Sequence, residues 1–296
     1  MKSKRQHYIP VSYLRAWCDP STPKEQTPYV WVFTKDRPEG KKRAPKKILY
    51  ETDMYTMPGP NGTRDLTLEE NLSRLEQAFS EIRRAKLRRR LPLTAEEHLR
   101  LCMFTMAMHG RTRDYKTHWS QQWGQALELL DRVQTAVEQA TPEQRTRMRQ
   151  ALQSPNPSGE RLTREDVVEH MNRPIQAGLP VLATDGASML FQIPFVILAV
   201  RDPVRFITSD TPCVWFDPAS YEKPPPFGAG GLVSPTLEIT LPLSPTQMLF
   251  FGRKLVVSNT YLTVSDKTAV QSLNRRTATG SCVIADSKHI YPMCCS

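Results

Sequence analysis

Phe195-Val-Ile-Leu-Ala-Val-Arg-Asp-Pro-Val-Arg-Phe-Ile-Thr208 decides the fold class. Two short runs of β-branched and aromatic residues are split by Asp202-Pro203, a pair that breaks both helices and strands. The runs read as strands, and they follow a long stretch with the opposite periodicity. Leu68, Leu72, Leu75, Phe79 and Ile82 recur at helical spacing and form one apolar face. Thr67-Leu-Glu-Glu70 predicts a capping box at the start of that helix, and Pro92 predicts its end. Thr94-Ala-Glu-Glu97 repeats the start signal ahead of Leu99, Cys102, Met103 and Met106. The helical pattern then runs to about Gln139 with a break at Gly110. Thr141-Pro142-Glu143-Gln144 sets another N-cap with Pro in the first turn, and Thr163 to His170 reads as a further short helix.

Working outward from the strand pair, Val214-Trp-Phe216, Glu238-Ile-Thr-Leu241 and Met248-Leu-Phe-Phe251 also read as strands. The last two flank Pro242-Leu-Ser-Pro245. Asp266 to Arg276 predicts a closing helix. Ser154–Gly159 and Lys223–Gly231 are rich in turn residues and read as loops. Near the start, Tyr29-Val-Trp-Val-Phe33 predicts a strand, Gly40–Lys47 a basic connection, Ile48-Leu-Tyr50 a short strand and Pro58–Gly62 a turn. Helices and strands are segregated rather than alternating, so the expected class is α+β. We expect one domain over 1–296, with an N-terminal β and basic segment (1–62), a helical block (63–175) and a strand-rich part with a closing helix (190–296).

The chain has 296 residues, 39% apolar and 24% charged, enough to bury a core without help from disulfides or metal. No run approaches the roughly 20 apolar residues of a membrane span, so no membrane partner is expected. The basic start has no apolar stretch behind it, which argues against a secretory signal. Cys18, Cys102, Cys213, Cys282, Cys294 and Cys295 are scattered, with no CxxC pair and no zinc-finger spacing. They read as reduced thiols of a cytoplasmic protein.

The net charge of +10 is unevenly spread. Residues 1–47 hold twelve Lys/Arg against four Asp/Glu, and Arg83 to Arg90 hold six cations in eight residues. Clustered charge of this kind is the footprint of a nucleic-acid binder, or else a solvated surface that keeps the protein soluble. On the first reading the phosphate contacts come from Lys42, Arg43, Lys46, Lys47, Arg84, Arg88 and Arg89.

Several motifs in this order resemble a known family: Gln6-His-Tyr-Ile-Pro10 with Tyr13-Leu14, Val30-Trp-Val-Phe33, and Glu51-Thr-Asp53 with Tyr55. After them come Leu68-Glu-Glu70 with Leu75-Glu76, Arg111-Thr112, Phe206-Ile-Thr-Ser-Asp-Thr-Pro212, Leu241-Pro-Leu-Ser-Pro245 and Leu273-Asn274. Together they resemble the mostly bacterial family called domain of unknown function 4238, nearly end to end. Pro194-Phe195 departs from it where the family often has Trp. The resemblance implies an α+β protein of bacterial mobile-element or defence-related settings and no established activity.

Asp210 is the first candidate for chemistry, because it ends a run of β-formers just before Thr211-Pro212. There it serves either as a metal ligand or general base, or with Ser209 as the cap of a turn. His7, beside Tyr8-Ile9-Pro10, is either a base or ligand or an anchor of the N-terminus. On an extended segment Glu51 and Asp53 would face one side and suit a metal ion, whereas on an exposed loop they are simply solvated. Glu69, Glu70 and Glu76 lie on the first long helix, where Glu70 has a capping role open to it and Glu76 could point into a cleft. Arg111 and Arg113 suit either a phosphate or a carboxylate partner. His98, His118, His170 and His289 have no ligand spacing. No Walker loop or GxGxxG is present, so no nucleotide cofactor is predicted.

Two functions follow. The first is a nucleic-acid-interacting protein, read further as a metal-dependent nuclease. Asp210, Glu70 and Glu76 would then hold Mg or Mn, His7 and Asp210 would activate water, and Arg111 would stabilise the phosphate. The second is a non-enzymatic interaction module in which the same polar residues form a structural network.

Overall fold

The computed structural model describes residues 5–19, 21–23, 25–152, 162–201, 203–219, 231–280 and 282–285. The expected loop at 154–159, nearly all of the one at 223–231, Asp202, His289, Cys294 and Cys295 lie outside the described residues.

The chain opens with β1 (Arg5–His7), the short helix α1 (Val11–Leu14) and a 3-10 turn at Arg15–Trp17. The hairpin β2 (Val30–Thr34) and β3 (Arg37–Arg43) follows, with a 3-10 turn at Pro45–Lys47. The first half of the stretch expected to be a basic connection, Gly40 to Arg43, is therefore strand. Its charged residues suit it to the edge position it occupies, because charge on an edge blocks pairing with other chains. The strand expected at 48–50 lies later, as β4 (Tyr50–Thr52), because Leu49 takes a positive φ of 56° and breaks the extended run. A small hairpin, β5 (Met57–Pro58) and β6 (Arg64–Asp65), leads into the helices.

The helical block holds α2 (Thr67–Ala85), α3 (Ala95–Gly110), α4 (Arg113–Gln139), α5 (Pro142–Leu152), α6 (Arg164–Asn172), α7 (Pro174–Val181) and α8 (Ala187–Phe191). The capping box expected at Thr67 does not form. Thr67 is already helical, and the Asp65 carboxylate accepts from its backbone N–H at 2.8 Å. Nor does α2 run on to Pro92: it ends at Ala85, and a 3-10 turn with Arg90 in the left-handed region reverses the chain. The boxes at Thr94 and Thr141 are as expected, and Thr163 adds one with Asp166. Gly110 ends α3 where a Cβ would lie 2.6 Å from Leu182 Cδ2 and 2.9 Å from Leu179 Cδ1, so a larger residue there would make these leucine side chains move.

The strand-rich part holds β7 (Phe195–Ala199), β8 (Thr208–Ser209), β9 (Val214–Phe216), β10 (Glu238–Ser244), β11 (Gln247–Gly252), β12 (Thr260–Thr263), α9 (Lys267–Thr277) and β13 (Cys282–Ala285). A five-stranded sheet has the order β12-β7-β11-β10-β9, antiparallel except for the β12–β7 pair. A four-stranded sheet has the order β3-β2-β13-β8, so the last described strand threads between N-terminal β2 and the Thr208 segment. The architecture is α+β with a closing helix. One buried apolar cluster runs through all three segments, including Tyr13, Phe79, Phe104, Leu179, Phe251 and Ile284. At its centre Phe79 and Phe104 stack at 4.0 Å, joining α2 to α3.

Candidate functional site

Arg111 anchors the polar centre. It caps α3 as that helix runs out at Gly110, and it is only 2% exposed. Its guanidinium donates to the Tyr55 hydroxyl at 3.1 Å, to Glu76 Oε1 at 2.8 Å and to the His7 carbonyl at 2.7 Å. Three pieces of chain from β1, the loop after β4 and α2 are thereby tied to the end of α3. Burial opposes the charge, but the Tyr55 oxygen and the Glu76 carboxylate more than offset it and hold the pKa above its ordinary value. The Tyr55 hydroxyl is pushed up in turn, by burial.

Around this centre lies a second shell of bonds. Gln6 is buried. Its amide accepts from the Tyr55 backbone N–H at 2.6 Å and donates to Glu69 at 2.8 Å and Thr56 at 3.0 Å. Arg113 and Lys116 both pair with Glu51, at 2.7 and 3.2 Å. Asp53 pairs with Arg64 and has a φ of 54°, so it does not continue the extended line of Glu51. The expectation that these two carboxylates share one side fails at that backbone turn. Each binds its own cations.

His7 meets Arg111 through its carbonyl, and Glu76 reaches its ring only as a nearby charge. Its ring lies edge-on to Tyr50 at 5.6 Å, and its Nε2 is buried without a partner among the described residues. Burial lowers its pKa below the usual 6.5, while a hydrogen bond to the Lys46 backbone and the Glu76 charge act the other way.

Asp210 is 8% exposed and stands just beyond β8. Its backbone N–H donates to the Cys282 carbonyl, and its Oδ1 accepts from the Cys282 N–H at 3.1 Å. The turn is tightened by Thr211 N–H donating to Ser209 Oγ at 3.2 Å. These bonds are the turn-and-cap role, and they fix β13 in its sheet. Asp210 also lies close enough to raise the pKa of Tyr8, after burial and against Arg113, whose guanidinium sits 5.1 Å over the Tyr8 ring. Asp210 therefore borders the Arg113–Glu51 side of the network.

Among the described residues, no group of three or more His, Cys, Asp or Glu side chains could hold a metal ion. Asp210, Glu70 and Glu76 thus do not assemble as a ligand set. Glu76 is engaged by Arg111, and Glu70 lies exposed on α2. Of the other histidines, His98 stacks between Phe191 and Phe195, His109 stacks on Trp215, and His170 bonds the Asp166 carbonyl.

Several residues that do the joining carried no signal of chemistry in the sequence. The Tyr13 hydroxyl donates to the Pro242 carbonyl at 2.6 Å and lies 2.8 Å from Thr208 Oγ1. Trp17 Nε1 bonds the Phe206 carbonyl, and the Asn274 amide accepts from Ile207 N–H and donates to the Arg205 carbonyl. Arg83, within the basic cluster, donates to the Ser12 and Tyr13 carbonyls. A polar residue placed inside a motif of apolar ones, as Tyr13 and Asn274 are, was the only hint.

The basic residues themselves stay on the surface. Lys42, Arg43, Lys46, Lys47, Arg84, Arg88 and Arg89 are all exposed, and among the described residues none is paired with an acid. The short helix α1 packs against both the Pro45–Lys47 turn and α2. Arg83 feels the repulsion of Arg88 and Arg15, so Arg15 also belongs to this side. Two clusters far apart in sequence thus flank one helix.

No helix among the described residues is long and apolar enough to cross a membrane. No curated protein and no solved structure matches the chain. The family model for the protein of unknown function DUF4238 matches residues 5–289, and the chain belongs to that family.

Proposed function

We propose that this protein interacts with nucleic acid through the basic surface on either side of α1, and that the polar centre at Arg111 is a structural network and not a catalytic one. The observation that carries this reading is that the cations of the Pro45–Lys47 turn and those at the end of α2 lack acidic partners among the described residues, while α1 packs against both elements. Cations without acidic neighbours are free to replace the counterions of a phosphate backbone, and releasing those counterions drives binding. Arg111, by contrast, is 2% exposed and turns its Nε, Nη1 and Nη2 to partners inside the protein, which leaves it poorly placed to meet a phosphate. The free thiols Cys18, Cys102, Cys213 and Cys282 suit a cytoplasmic setting, and the defence or mobile-element setting that the family resemblance implies would suit a nucleic-acid partner.

The test is binding to labelled DNA and RNA over a salt series. Affinity should fall steeply with salt, and Lys46→Glu/Lys47→Glu and Arg88→Glu/Arg89→Glu should each weaken it and flatten the slope. Salt-independent binding, or none at all, would refute the proposal. One observation favours metal-dependent cleavage as a second reading, with Mg or Mn as the ion: the partnerless Nε2 of His7 beside Glu76. Cleavage that needs metal and is lost in a normally melting Asp210→Ala or His7→Ala would establish it.

A further inference from the structure

The outer face of the β2–β3 hairpin narrows the kind of nucleic acid. Tyr29 and Trp31 are two residues apart and point to the same side of the strand, while Val30 and Val32 turn to the core. Trp31 pairs in register with Lys42 of β3. The Lys42 ammonium lies 4.5 Å from the Tyr29 ring centre and 5.4 Å from that of Trp31. Both rings are pre-set. The Tyr29 hydroxyl donates to Asp19 Oδ2 at 2.6 Å, and Asp19 is itself held by the backbone and hydroxyl of Ser21. Trp31 is backed by Phe33 at 6.4 Å, and its indole N–H has no partner among the described residues, so packing and the lysine alone fix it. The exposed Lys41, Arg43, Lys46 and Lys47 continue from this face toward α1.

Fixed aromatic rings interleaved with unpaired cations match bases that are unstacked and lie next to phosphates. A duplex keeps its base faces hidden and could use only the cations. Resting on the proposed function, we infer that the Tyr29–Trp31–Lys42 face is a stacking platform for single-stranded nucleic acid. A base takes the place of the ammonium over the rings, and Lys42 moves to the adjoining phosphate.

The experiment compares oligouridine, oligothymidine and a duplex of the same length on the full chain. It uses wild type, Tyr29→Ala and Trp31→Phe, each checked by melting. The single strands should bind more tightly than the duplex, and Tyr29→Ala should weaken them by at least about fivefold while leaving the duplex unchanged. Trp31→Phe keeps a ring and should keep most of the affinity. The single strand should quench tryptophan fluorescence in wild type, and that quenching should largely vanish in Trp31→Phe. Equal binding of single strand and duplex, with Tyr29→Ala unaffected and no Trp31-dependent quenching, would overturn the platform. If the charge-reversed variants still lost binding in that case, the basic-surface reading would stand. No binding of any nucleic acid would remove both.

Discussion

Arg111→Ala is the sharpest test of the view that the polar centre is structural. The substitution strands the Glu76 carboxylate, the Tyr55 hydroxyl and the His7 carbonyl, all of which accept from or contact that guanidinium. Breaking a buried pair by removing one partner costs on the order of 3–5 kcal/mol. The Glu76 side chain is 23% exposed and can recover some hydration, which places the expected cost near the lower end of that range. Unfolding entropy runs at roughly 2.1 cal/mol/K per residue, so in a chain of 296 residues each kcal/mol moves Tm by about 1.6 °C. Arg111→Ala should therefore melt about 5 °C or more below wild type. Arg111→Lys keeps the charge but cannot reach three acceptors with one ammonium, and it should fall between the two. Calorimetry or circular dichroism reads both shifts. An Arg111→Ala protein that melts with wild type yet loses nucleic-acid binding or cleavage would refute the reasoning and make Arg111 a ligand-contacting residue.

Two further outcomes are expected. Burial depresses His98 and His109 to about 4, whereas in the unfolded chain they titrate near 6.5. Between those values the unfolded state binds more protons, so stability is lost as pH falls from about 6.5 toward 4. His109→Gln should flatten the dependence of Tm on pH, and an unchanged slope would remove His109 from the account. Gly280→Ala would push a Cβ into Asp210 Oδ1 and to 2.7 Å from Thr211 Oγ1. It should cost about 1–3 kcal/mol by loosening the Asp210–Cys282 bond, and unusually fast amide exchange at Cys282 would locate the damage. Wild-type exchange there would show that the turn absorbs the methyl elsewhere.

The helices were legible in the sequence because their signals are local. A period of apolar residues and a capping pair such as Thr94/Glu97 need no knowledge of the rest of the chain. The helix does start at Thr67, and the capping box expected there is missing for a simple reason: Asp65, two residues earlier, accepts from the Thr67 N–H instead. The short strands were harder. β3 is made of charged residues because it is an edge, and β13 is a strand only because β2 and β8 lie on both sides of it. The candidate site was half legible. His7, Glu76 and Arg111 do meet, but periodicity could not show that His7 contributes its carbonyl and that Tyr55 completes the set. Of the two readings of Glu51 and Asp53, the paired one fails because Asp53 itself takes a left-handed φ, which the sequence did not show.

The family motifs change meaning once their partners are known. Gln6-His7 meets Tyr55, Glu69 and Arg111, while Tyr13 meets Thr208 and Pro242. Asn274 holds the backbone of Arg205 and Ile207, just ahead of the Ser209–Asp210 turn. The bonds of Gln6 to Glu69, of His7 to Arg111 and of Tyr13 to Thr208 and Pro242 cross between segments, while those of Gln6 to Tyr55 and of Asn274 brace the N-terminal segment and the strand-rich part internally. Apart from the His7 ring, whose Nε2 has no partner among the described residues, these groups are bonded within the protein, and a buried group that is already bonded has little left with which to bind a substrate. The motifs therefore specify how the three parts lock together. On the proposed reading, recognition falls instead to the surface that the lock holds in place, where α1 lies between Arg83 and the Pro45–Lys47 turn and Lys42, Arg43, Lys46, Lys47, Arg84, Arg88 and Arg89 have no acidic partners among the described residues.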